Sequence, residues 1–224
     1  MTTSDGTLPE SVSLEEWREA LAKLLAREKE MTRATDALAA ERRRLPMVRV
    51  EDTFNFTGPE GDVSLVDLFH GRRQLIVYCA MLEPGAAPCV GCSMVMDNIG
   101  HNLTHVNARN TSFVFTSPAP QSEIIAVQNR MGWTAPWYTD HGRRFADAFD
   151  AGKGFAVNVF IRDDEKRVYR TYFTTDRGGE LFDTNFRLLD LTPYGRQETW
   201  EDSPEGRPQT PPYEWWRLHD EYDT

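Results

Sequence analysis

The tetrad Cys89-Val-Gly-Cys92 stands where an apolar run, Leu75-Ile-Val-Tyr-Cys79-Ala-Met81, gives way to a helix-like stretch. A chain built this way has to carry two thiols from the end of a buried strand to the first turn of a helix, the placement a dithiol redox centre requires. The first backbone N–H groups of a helix lack intrahelical partners, and its peptide dipoles point their positive end outward. A thiol there loses its proton more readily, from a reference near about 8.5 toward roughly 3.5 to 7.5. Cys89 is therefore the expected nucleophile. Cys92, one helical turn inward, is the expected resolving thiol, close enough to attack a mixed disulfide and release the product. Pro88 fixes the approach to the turn and has no N–H to leave unpaired.

Composition sets the surroundings. A chain of 224 residues is long enough for one ordinary domain with extensions, and three cysteines make no disulfide framework. The start lacks both a basic and an apolar leader segment, so the expected setting is a reducing cytoplasm. A net charge of −10 argues against nucleic acid or an anionic membrane as a partner. No apolar run reaches the roughly 20 residues that span a bilayer. Arg42-Arg43-Arg44 ends a predicted helix, where cations complement the dipole.

Three segments are expected. Residues 1–46 form an N-terminal extension: an unstructured lead over residues 1–12, then a helix opened by Ser13 and Glu16 and running to about Arg44, where Pro46 stops it. Its apolar stripe, Trp17, Leu21, Leu24, Leu25, Met31, Leu38 and Leu45, has to be buried on the same domain or on a second subunit, which would make the chain a homodimer through this helix. Residues 47–194 form the body. Strands are expected at Phe54–Phe56, 75–81, 111–116 and around Trp137-Tyr138, with the clearest hairpin over 155–162 and 167–174. Helices are expected from Cys92 to about Ala108, over 121–131, and over 180–189. Strands alternating with helices, then a hairpin and a helix, imply an α/β fold whose central mixed sheet is covered on both faces. Residues 195–224, rich in proline, read as an irregular tail pinned by the aromatics of Tyr213-Glu-Trp-Trp-Arg217.

This order resembles the thioredoxin-like fold. More closely, Cys89-Val-Gly-Cys92-Ser93 with Asp97, Arg130-Met-Gly-Trp133, Trp137-Tyr138, Val168-Tyr-Arg-Thr-Tyr172 and Leu188-Leu-Asp-Leu-Thr-Pro-Tyr-Gly-Arg-Gln197 resemble the bacterial DUF899 family of predicted dithiol–disulfide oxidoreductases. The resemblance covers about residues 13 to 198. It implies a thioredoxin-like fold and a dithiol function; the expected substrate is a protein or small-molecule thiol or disulfide, and no cofactor is expected. Three departures from ordinary thioredoxins stand out. Gly154-Phe-Ala-Val157 holds no proline where the strand opposite the dithiol begins with one, and the loop 82–88 is longer than usual. No carboxylate lies within the strand at 75–81, which leaves Glu83 and Asp97 as the nearest proton carriers. A peroxiredoxin site would place a Thr three residues before its cysteine, and Ala86 stands there.

Other residues have bland and sharp readings. Cys79 falls mid-strand and reads as a small buried hydrophobe. Asp97, His101 and His105, spaced four apart on the expected helix, share a face that could offer metal ligands beside Cys89 and Cys92, but surface hydrogen bonds are the commoner use and no metal site is assigned. Arg177 reads as turn and helix entry, or as a cation near the thiolate. Trp133, Trp137 and Tyr138 read as core, or as a substrate groove. A zinc-binding protein and a non-catalytic thioredoxin-like scaffold are the alternatives to an oxidoreductase.

Overall fold

The computed structural model describes residues 7–222, so the first half of the expected lead lies outside the described residues. Ser13 caps helix α1 (Leu14–Arg42): its hydroxyl accepts from the Glu16 backbone N–H at 3.3 Å, and its own N–H donates to the Glu16 carboxylate at 2.9 Å. That reciprocal box satisfies two donors of the first turn. At the other end Arg44 donates to the Ala40 carbonyl at 2.7 Å, so the arginine cluster is helix-end chemistry. None of the helix's 29 residues is buried. Of the two covers the sequence left open for the apolar stripe, the domain itself does not serve: Trp17, Leu24, Leu25, Met31 and Leu38 are each at least 46 % exposed. The helix touches the body near its end, where the Arg42 guanidinium lies over the Tyr172 ring.

The body follows as β1 (Val48–Arg49), β2 (Asn55–Gly58), β3 (Gly61–Ser64), β4 (Gln74–Cys79), α2 (Val90–Ile99), α3 (Thr104–Asn107), β5 (Thr111–Ser117), α4 (Gln121–Met131), β6 (Trp137–Asp140), α5 (Arg144–Ala148), β7 (Ala156–Arg162), β8 (Val168–Thr174) and α6 (Thr184–Leu189). Eight strands make one mixed sheet in the order β1-β8-β7-β4-β5-β6-β2-β3. β4 runs parallel to β5 and β5 to β6, while every other neighbour is antiparallel. A parallel β4-α2-β5 unit followed by the β7-β8 hairpin and a closing helix is a thioredoxin-like arrangement.

Side chains alternate along β4, so its neighbours face opposite ways. Leu75, Val77 and Cys79 point into a core with Phe54, Phe56, Leu68, Phe69, Phe145 and Phe149. Tyr78 points into the other core, with Phe113, Phe115, Ile124, Met131, Trp133 and Trp137. The dithiol lies on the Tyr78 side.

Two expected helices are corrected. The one from Cys92 to Ala108 stops at Ile99: Gly100 caps it, and the Gly100 carbonyl takes the backbone N–H groups of Thr134 and Ala135, each at 2.9 Å. The one over 180–189 is a 3₁₀ segment, Asp176–Phe182, then α6, parted by Asp183, which caps α6 through Asn185 N–H. The short α5 escapes a periodicity reading and is built by the buried Asp140 carboxylate, which accepts from Phe145 and Ala146 N–H at 2.9 Å.

The described residues beyond α6 carry turns and one 3₁₀ turn, His219–Glu221, but no α-helix or named strand, and they are anchored by buried charge. Glu198, 2 % exposed, accepts from Tyr213 N–H at 3.0 Å, Trp215 Nε1 at 2.8 Å and Trp200 Nε1 at 2.5 Å. Arg196 donates to both oxygens of Asp190 at 2.8 and 3.0 Å and to Glu180 at 3.1 Å, and stacks on Phe186. Farther along, Arg130 clasps Asp220 and Glu221. No helix among the described residues is long and apolar enough to cross a membrane.

Candidate active site

β4 ends as Ala80 donates to Thr116 O at 2.7 Å; the chain then leaves through residues 82–88 and returns so that Cys89 N–H meets Met81 O at 3.4 Å. Gly85, at φ 72°, makes the turn of this excursion, a left-handed conformation that costs glycine little. Cys89 is thereby the residue that caps α2. Its side chain is half-buried at the helix start, and Cys92 is buried. Both thiols are free, as is Cys79.

The two environments pull the thiols apart. The Cys92 thiol donates to the Cys89 sulfur, and against the cost of burial the N–H groups of Cys92 and Gly91 add to this, holding the Cys89 thiol down to about 6. Cys92 is pushed well above the ordinary thiol value, first because it is that donor and then because it is buried beside the Cys89 thiolate. Tyr78 Oη donates to Cys92 Sγ at 3.6 Å and Met81 N–H at 3.5 Å. Burial likewise raises the Tyr78 phenol. Hydrogen bonding thus favours the ionised form at Cys89 and, together with burial, the protonated form at Cys92.

A cavity of about 280 Å³ is lined by both Cys89 and Cys92. Its walls come from β4, the entry to β7, the Asp176–Phe182 segment, α6 and the C-terminal tail. Trp216 of the tail lies so close to α2 that a Cβ at Gly91 would come within 2.7 Å of its ring. Inside the tetrad, glycine is what lets the tail close over the dithiol.

The family model of a bacterial protein of unknown function, DUF899, matches residues 6–222. The chain belongs to the DUF899 family. The match takes in α1 and the C-terminal tail as well as the sheet. A search of curated proteins gave no match. Among solved structures, the chain is similar to the hypothetical protein SMc02350 from Sinorhizobium meliloti 1021 (15 % identity, TM-score 0.42, 58 % of this chain and 71 % of that one). It is also similar to a mutant of peroxiredoxin Q from Xanthomonas campestris (17 %, 0.46, 65 % and 97 %). A third is a putative thiol:disulfide interchange protein DsbE from Chlorobium tepidum (12 %, 0.42, 64 % and 97 %).

The other candidates fall away from the thiols of this DUF899 protein. Cys79 faces the opposite core, where burial pushes its thiol up to about 12. Glu83 pairs with Arg143 at 2.9 Å. Asp97 accepts from Trp133 Nε1 and His219 Nδ1, both at 2.7 Å. The break at Gly100 takes His101 and His105 off the Asp97 helix. Among the described residues no three His, Cys, Asp or Glu side chains converge to hold a metal ion. Arg177 reaches the cavity rim, but its guanidinium is spent on Glu180 at 2.8 Å and on the Trp200 ring. Trp133, Trp137 and Tyr138 are core: Trp137 donates to Ser117 Oγ at 2.9 Å and Tyr138 Oη meets His70 Nε2 at 2.8 Å.

What sequence reasoning missed are Tyr78, Phe155, Phe186, Tyr213 and Trp216 as the surroundings of the dithiol. Strand parity placed Tyr78 opposite Cys79 and was a usable signal; nothing local ties Trp216 to Gly91.

Proposed function

We propose that this protein is a thiol–disulfide oxidoreductase in which Cys89 attacks and Cys92 resolves. The observation that carries the reading is the asymmetry of the pair: Cys89 at the cap of α2, with its thiol lowered to about 6 and accepting a hydrogen bond from the Cys92 thiol. The Cys89 thiolate attacks a disulfide R–S–S–R, forming Cys89–S–S–R and releasing one thiolate. Cys92 then gives up its proton and attacks the Cys89 sulfur, closing the intramolecular disulfide and releasing the second. Two electrons pass from the dithiol to the substrate, and an external dithiol returns them. The proposed setting is the reducing cytoplasm, where such a pair rests as thiols. A second copy of the chain is the proposed cover for the exposed stripe of α1.

The test is a trap. Cys92→Ser keeps the attacking thiolate and loses its rescue, so intact mass after exposure to a small disulfide is expected to show a long-lived adduct on Cys89. Cys89→Ser is expected to trap little. Equal trapping by both variants, or none by either, overturns the roles, and joint loss of metal content and stability in both variants would instead return the zinc alternative.

A further inference from the structure

The cavity over the dithiol is built for a particular kind of disulfide. Its inner walls are rings: Phe155 stacks on Tyr78 with centroids 5.4 Å apart and planes within 6°, and Trp216 packs between Phe186, at 5.7 Å, and Tyr213, at 4.5 Å. Two glycines bring rings close. Beside Gly91 at Trp216 there is Gly179, where a Cβ would stand 2.5 Å from the Phe155 ring. An apolar cavity of about 150 Å³ suffices for one benzene ring. The 280 Å³ here leaves room for a ring and the atoms that join it to sulfur.

Charge at the rim narrows the choice. Asp176, Glu180 and Asp183 line the cavity together with Arg177. Arg177 and Arg196 both donate to Glu180, and the Asp183 carboxylate is taken up by Asn98 and Asn185. The one cation among the lining residues is already paired, so nothing here offsets the charge of a carboxylate-bearing disulfide. The tail residues Tyr213 and Trp216 line the same cavity as the half-buried Cys89, so a substrate that reaches the sulfur through it meets their rings.

We propose that the physiological substrate is an uncharged, small-molecule disulfide carrying an aromatic or similarly flat apolar ring next to sulfur, held between Trp216, Tyr213 and Phe155 while Cys89 attacks. This rests on the oxidoreductase reading and names its substrate class. Ar–S–S–Ar becomes Cys89–S–S–Ar plus ArS⁻. Cys92 then loses its proton to solvent and attacks the Cys89 sulfur, breaking the mixed disulfide, and the second ArS⁻ leaves as the protein disulfide closes.

The full-length reduced protein is mixed at neutral pH with 4,4′-dithiodipyridine, with bis(2-hydroxyethyl) disulfide, with oxidised glutathione and with insulin as a protein disulfide. Each rate is divided by that of a free small thiol with the same reagent, which removes intrinsic reactivity. The normalised rate for the ring-bearing reagent is expected to exceed those for the ringless and the anionic ones on the order of tenfold. Trp216→Ala, and independently Tyr213→Ala at a side chain already half exposed, are expected to bring the ring-to-ringless ratio down toward that of the free thiol. Equal normalised rates, a ratio untouched by both substitutions, or insulin as the fastest substrate would overturn the substrate class while leaving the dithiol chemistry standing. No reaction with any disulfide, in protein whose Cys89 still alkylates, would sink the oxidoreductase reading itself.

Discussion

A thiol at the cap of α2 meets unspent backbone N–H groups and the proton of a neighbouring thiol; a thiol three residues on meets a buried phenol and the end of a strand. Their chemistry follows from that difference. Alkylation of the native reduced protein is expected to label Cys89 first, with a pH midpoint near 6, ahead of the buried Cys92 and of Cys79, held up to about 12 on the other face of the sheet, as peptide mapping of timed samples would read. First labelling at Cys79 would contradict the strand parity. Stability carries the same sign. The folded state keeps Cys89 ionised where the unfolded chain still holds the proton, so the reduced protein gains stability as pH rises from about 6 through the ordinary thiol value and loses it as pH falls through about 6. Cys89→Ser is expected to lack that slope. These two cysteines were legible in the sequence because the signal is local: strand, turn, cysteine, helix.

At the scale of elements, the long helix and the tail behave oppositely. α1 has a complete capping box and buries nothing, so deleting residues 1–42 is expected to shift the unfolding midpoint of the body by no more than about 2–4 °C, the size of a 1 kcal/mol effect. Under the proposed self-association the same deletion reduces the measured mass in solution to that of one chain; a chain-sized mass for the full-length protein removes the second copy from the account. Periodicity revealed the stripe but not its cover, since a repeat of apolar residues shows that a face is apolar and says nothing of what meets it. The tail is held by Glu198. Burial opposes its ionised form, yet the N–H groups of Tyr213, Trp200 and Trp215 outweigh it and hold the carboxyl below the usual range. Anchoring is therefore complete above the ordinary glutamate value and lost as pH falls through the lowered one. Replacing Glu198 by Gln removes the charge from bonds worth about 1.5–3 kcal/mol and is expected to speed hydrogen exchange in residues 198–216 on the order of tenfold or more. Unchanged exchange would mean that the tail is held elsewhere. The proline-rich composition of this segment reads as loose; the buried carboxylate that orders it has no local pattern.

The whole molecule joins what the sequence keeps far apart. β4, α2, β5 and the β7-β8 hairpin could be placed from alternation and turn chemistry, and they carry the dithiol. The errors fell where long-range contacts decide, as at Gly100, whose carbonyl is claimed by Thr134 and Ala135, and at the cavity, whose far wall returns from the last turn of the tail. The central claim, that Cys89 and Cys92 form a reversible redox pair, has a direct test in the potential of that pair, read by equilibrating the protein in thiol buffers of graded poise and weighing the quenched samples. A dithiol whose reactive cysteine titrates near about 7 sits at about −270 mV, and one near about 3.5 at about −120 mV. Cys89 at about 6 is expected to give a single two-electron transition between those limits, with the bridge mapped to Cys89 and Cys92. No bridge at any poise, or a bridge that includes Cys79, would contradict the account.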